Sequence, residues 1–142
     1  MSGPLEFKVA VLGCSGIGRL VSTVVRQAVY MIAQDRPDEV VVVSSGSLTG
    51  NVPEALEKAR KYPLIVIDGC RPKCATAIAK GKDLDIAAAI WVAEVAAKYK
   101  LSIAGDKRTE LSEKGLALAR AIADEAIAKI DLMVAEEAMS TL

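Results

Sequence analysis

Three short aliphatic runs, each ending abruptly in small residues, constrain this chain more than any other feature. The first, Phe7-Lys8-Val9-Ala10-Val11-Leu12-Gly13, opens into Cys14-Ser15-Gly16-Ile17-Gly18. The second is the valine run Val40 to Val43, followed by Ser44-Ser45-Gly46. The third is Leu64-Ile65-Val66-Ile67, which stops at Asp68-Gly69-Cys70. Runs this short and β-branched form strands, and unbroken apolar character marks strands covered on both faces of a parallel sheet.

The segments between them supply the crossovers. From Ile17 to Gln34 apolar residues recur at helical spacing, at Leu20, Val21, Val24, Val25, Ala28, Val29 and Ile32, until Asp35-Arg36-Pro37-Asp38 breaks the pattern. Ser44 to Asn51 reads as a small polar loop. Pro53 opens a helix to about Lys61, placed in the first turn, where its missing N–H costs nothing. Two strand–helix–strand units follow, and such crossovers are right-handed and join parallel strands. Beyond Cys74 the pattern predicts a helix over Leu84–Lys98 that includes Trp91, and a short fourth strand at Leu101-Ser102-Ile103-Ala104. A long amphipathic helix is predicted from about Arg108 to Ile130, with 131–142 as its continuation or a frayed end. The expected fold is a three-layer, Rossmann-like α/β domain spanning residues 1–142. Its sheet is mostly parallel, of three to four strands, and flanked by helices.

Charge narrows the partners. Eighteen basic residues balance eighteen acidic ones, so nothing electrostatic favours nucleic acid or an anionic membrane. No apolar run approaches the ~20 residues that span a bilayer. Met1-Ser2-Gly3-Pro4 lacks the apolar stretch of a signal peptide, so a cytoplasmic protein is expected. In a reducing compartment close cysteines read as metal ligands or redox groups rather than staples.

The chain has three cysteines and no histidine, and the fold brings the cysteine-bearing loops together. In a parallel sheet the strand ends meet along one edge, where ligands bind near the topological switch point. Cys14 follows the first strand, Ser44-Ser45 the second, and Cys70 with Cys74 the third. Cys14 by itself is equally well read as a small buried hydrophobe. Cys70-Arg71-Pro72-Lys73-Cys74 spaces two thiols to reach one ion, and Arg71, Lys73 and a helix start near Cys74 are expected to lower the thiol pKa values. Asp68 either supplies a further ligand or, as ordinary turn chemistry before Gly69, accepts backbone N–H bonds. The turn at Cys14, with Ser15, Gly16 and Gly18 leading into a helix, also suits a small anion. It does not follow the G-x-G-x-x-G dinucleotide pattern. Its Cys14–Arg19 spacing is one residue short of a tyrosine-phosphatase loop, and its likeness to a phosphotransferase-system component is confined to this loop.

Taken together, "KVAVLGCSGIGRLVSTVVRQAVY", the valine strand and "PLIVIDGCRPKCA" resemble the DGC-domain family, named after the tripeptide at Asp68-Gly69-Cys70. The resemblance covers about residues 7–80 and does not extend to the helical part at about 84–142. It implies a zinc site assembled from four cysteines, with no established reaction. Three of these carry over by motif position to Cys14, Cys70 and Cys74; where the fourth is expected, this sequence has Ser44. Serine is a poor zinc ligand, which leaves three thiolates with the remaining position open or filled by Asp68, water or a partner. The leading reading is therefore a protein binding zinc or another thiophilic metal ion, with Ser44 and Ser45 lining the pocket. The alternative is a thiol-based enzyme with Cys14 as nucleophile and Cys70 or Cys74 resolving it. With no histidine and no carboxylate pair, no general base for an ordinary hydrolase is offered. The apolar helices at 84–98 and 108–130 either cover the sheet or bury a face in a homo-oligomer.

Overall fold

A computed structural model of the protein describes residues 7–14, 16 and 18–140. Met1-Ser2-Gly3-Pro4 and two residues of the first turn, Ser15 and Ile17, lie outside the described residues. Four parallel strands form one sheet: β1 (Val9–Gly13), β2 (Val40–Val43), β3 (Leu64–Asp68) and β4 (Ile86–Trp91). Their order is β2-β1-β3-β4. The fold is the expected α/β, Rossmann-like arrangement. The direction of progression reverses between β1 and β3, which makes that pair the topological switch point.

Burial follows position in the sheet. Central β3 is buried along its whole length, and β1 everywhere except Gly13. At the edge, β2 keeps Val43 inside while Val42 is half exposed. The helices are α1 (Leu20–Asp35), α2 (Ser45–Thr49), α3 (Pro53–Lys61), α4 (Cys74–Gly81), α5 (Val92–Tyr99) and α6 (Glu113–Ser140). α6 packs on α1 and α5, whereas α2 packs on α3 and α4, so two helical layers enclose the sheet. Val24, Val25, Ala28 and Ile32 of α1 are buried, as are Leu118, Ile122, Ala126 and Ile130 of α6. Each large aliphatic side chain so buried contributes about 1.5–3 kcal/mol relative to exposure. No described helix is long and apolar enough to cross a membrane.

The second half departs from the sequence expectation. The alanine-rich run Ile86–Trp91 is a strand and not the start of a helix, because it pairs with β3 from Leu64↔Ile86 to Asp68↔Trp91. Tertiary pairing here overrides the helix preference of alanine. The helix begins only at Val92, and Leu101–Ala104 lies outside the sheet. α6 starts at Glu113 rather than near Arg108, because Asp106 ties down the preceding segment. Its carboxylate accepts from the N–H groups of Ser112 (3.2 Å) and Gly115 (2.9 Å) and from the Ser112 hydroxyl. Those bonds, the Ser112 hydroxyl first, hold the Asp106 pKa below its ordinary value. The polar loop expected at 44–51 contains the short helix α2. Ser44 caps it, accepting from the Ser47 N–H at 3.4 Å.

Candidate functional site

β1 delivers Cys14 to the switch point beside the end of β3. The Cys14 N–H donates to Ile67 O (3.1 Å), and the Gly69 N–H donates to Cys14 Sγ (3.2 Å). On its other side the sulfur meets Ser22 Oγ at 3.9 Å. The residue is only 5% exposed. Two glycines make this seat. A Cβ on Gly13 would stand 2.9 Å from Val25 Cγ1 and from Val29 Cγ2, and one on Gly69 would stand 3.1 Å from Cys14 Sγ. Absent side chains thus let α1 close on the sheet and bring a backbone N–H onto the thiol.

The second thiol site follows β3. Cys70 is half-buried and Cys74, the first residue of α4, is exposed, with their sulfurs 3.7 Å apart. The Lys73 N–H donates to Cys70 O (3.1 Å), closing a turn that curls both side chains to one side. Lys73 itself takes a left-handed conformation (φ 54°) as the cap of α4. Asp68, 2% exposed, fastens the loop from beneath: one oxygen accepts the Thr76 N–H (3.1 Å) and the other the Thr76 hydroxyl (2.5 Å). The Cys74 thiol is pushed up, first by its hydrogen bond with Cys70 and then by burial. The lowering expected from Arg71 and Lys73 is not found at Cys74: both cations are exposed to water, and the neighbouring sulfur is the leading influence.

The remaining expected residues flank these two. Ser44 and Ser45 do line a cavity with Cys14, of about 170 Å³, together with Gly13, Arg26 and Tyr30. Gly16 is exposed and lies over Ser22, its Cβ position 3.7 Å from that hydroxyl. Gly18 is exposed, and its carbonyl accepts from Arg108 Nη1 at 3.2 Å. Ser15 lies outside the described residues. The strand order sets Ser44 on the far side of Cys14 from Cys70. The edge therefore reads Ser44, Cys14, Cys70 with Cys74, and then Trp91 at the end of β4.

Trp91, Thr76 and Arg26 were not singled out from the sequence. Trp91 was hidden by the helical reading of its strand, yet any strand of this sheet ends at the same edge. Lys73 Nζ lies over its ring, 4.5 Å from the centroid. Thr76 sits eight residues after Asp68, beyond the reach of a turn rule. Arg26 lies on the face of α1 turned to the cavity and forms no ion pair within the described chain.

Two thiolates on one tetrahedral zinc, with Zn–S bonds of ~2.3 Å, stand about 3.8 Å apart. The Cys70–Cys74 separation matches that spacing. Cys14 does not join them as a third ligand in this arrangement: among the described residues no three Cys, His, Asp or Glu side chains are grouped to hold an ion. Both oxygens of Asp68 are already engaged by Thr76. The edge thus holds a ready two-sulfur pair and a separate, backbone-bound thiol. A family model described as DGC domain matches residues 10–115, which span every residue of this edge. No curated protein and no solved structure matches the chain.

Proposed function

This chain belongs to the DGC-domain family, and on that premise we propose that it holds zinc, or another thiophilic ion, at the carboxyl edge of the sheet. Cys70 and Cys74 are the primary ligands and Cys14 is the third. The observation that carries this reading is the 3.7 Å separation of the Cys70 and Cys74 sulfurs, in a loop already closed by a turn and fastened by Asp68. Cys14 lies one strand away and reaches the ion by giving up its bond to Gly69. Asp68 serves as the loop's anchor. With Ser44 in place of a further sulfur, an ion held by these three thiolates would keep a position open and would supply Lewis-acid chemistry there.

The test is the zinc content of the full chain purified without chelator, with thiols titrated before and after denaturation. Stoichiometric zinc, thiol protection until denaturation, and loss of both in Cys70→Ser or Cys74→Ser are expected. No uptake of added zinc, with both loop thiols freely reactive, overturns the reading. The second reading, Cys14 as a nucleophile, is favoured by one observation: the cavity that Cys14 shares with Arg26, Ser44 and Ser45, which suits a small anion. It requires a fast-reacting Cys14 in protein that takes up no metal.

A further inference from the structure

We infer that Cys70 and Cys74 also form a reversible disulfide, making their loop a two-electron dithiol centre that reacts with low-molecular-weight disulfides such as oxidised glutathione. The argument rests on placement. The sulfurs are 3.7 Å apart, and a disulfide needs about 2.05 Å between them, a difference that side-chain rotation spans. The Cys70–Lys73 turn and the Asp68–Thr76 clasp keep the two residues on one side. Cys74 is exposed and Cys70 half-buried, so a small disulfide reaches them from solvent. Cys14 is only 5% exposed and its sulfur accepts from the Gly69 N–H, so in the folded chain it reacts with such a reagent far more slowly than the exposed pair.

The exchange balances as two displacements. The thiolate of one cysteine attacks a sulfur of RS–SR; an S–S bond forms, another breaks, and RS⁻ leaves and takes up a proton. The second cysteine, its thiol proton passed to water, attacks the protein sulfur of the mixed disulfide and expels the second RS⁻. The pair loses two electrons and one RS–SR becomes two RSH. A dithiol reductant runs the sequence backwards. Because a disulfide offers no thiolate, closure also removes the two primary metal ligands. That consequence alone rests on the zinc reading; the disulfide does not.

The structure contains its own reporter. Lys73 lies between the two cysteines, and its ammonium rests on the ring of Trp91, the chain's single tryptophan. Drawing the sulfurs together shifts Lys73 and changes the emission of Trp91. The experiment treats the reduced, chelator-stripped full chain with oxidised glutathione, maps the thiols by peptide mass spectrometry and follows the fluorescence. Loss of two of the three free thiols is expected, as an internal Cys70–Cys74 bond with Cys14 free, alongside an emission change that dithiothreitol reverses. Cys70→Ser and Cys74→Ser each stop at a stable glutathione adduct. Adducts on both cysteines without an internal bond, a bond involving Cys14, or no reaction in the folded chain overturns the inference. The peptide map of the unsubstituted protein decides this even if a variant misfolds. Zinc uptake measured on a second aliquot shows separately whether the metal reading stands.

Discussion

Cys14 and the Cys70–Cys74 pair occupy the ends of neighbouring strands, yet the same side chain meets opposite surroundings. Cys14 is enclosed: Gly69 donates to its sulfur, Ser22 lies behind it and α1 closes over it. The pair stands in a loop where the two sulfurs face each other at 3.7 Å. What separates them is not the chemistry of cysteine but what the backbone does around it. At Cys14 the chain contributes a donor and covers most of the residue; at the pair it contributes only a turn and an anchor. A buried thiol of the first kind is a structural element first, and an exposed pair of the second kind is a reagent or a ligand first.

This contrast can be broken at either end. The largest effect is expected at Gly13→Ala, whose new Cβ has rigid valine neighbours at 2.9 Å. Overpacking there costs about 3 kcal/mol in urea unfolding, and a neutral result would mean that α1 does not press on the Cys14 turn. Asp68→Ala comes next, at about 2 kcal/mol, because it strands the partly buried Thr76 N–H. If stability held, the clasp would have no part in ordering the loop. Cys14→Ser follows at about 1 kcal/mol, the Gly69 N–H keeping an acceptor while a hydroxyl replaces sulfur in an apolar seat. In metal-free protein Cys74→Ser shifts stability by no more than about 0.5 kcal/mol, as for other exposed positions. Equal losses at Cys14 and Cys74 would erase the distinction.

The finest test uses pH. Hydrogen bonding to Cys70 raises the Cys74 pKa, so at a given mildly alkaline pH less of Cys74 is thiolate than in a free cysteine. Cys70→Ala removes the leading cause, lowers that pKa and speeds iodoacetamide alkylation of Cys74. Alkylation measured from neutral pH to the thiol range checks the sign, and an unchanged rate would show that the two sulfurs do not share a proton.

The reading from sequence succeeded where side chains alone decide. β1, β2 and β3 are aliphatic runs with few alternatives, and their exits placed Cys14, Ser44 and Cys70 on one edge without coordinates. It failed where partners decide. Ile86–Trp91 has alanines that suit a helix, and only pairing with β3 makes it a strand, which concealed Trp91. The direction of the Cys74 shift was also illegible, because the loop's cations are plain in the sequence whereas a sulfur 3.7 Å away is not. Asp68 as a clasp was half legible: its position before glycine suggested an acceptor role, but Thr76 is too distant in sequence for a local rule to name.

The Asp68–Thr76 clasp has a consequence for search. It fastens both feet of the cysteine loop, so the segment from Gly69 to Ala75 behaves as a small ring rather than a free tether. In a ring of this size one sulfur is confined to a tiny volume around the other, and its effective molarity there far exceeds that of any thiol in free solution. Whatever joins the two sulfurs, ion or covalent bond, meets them with most of the ordering entropy already lost in folding. Solvent thiols and competing chelators must overcome that head start, and a substitution at Asp68 would weaken it without touching either cysteine.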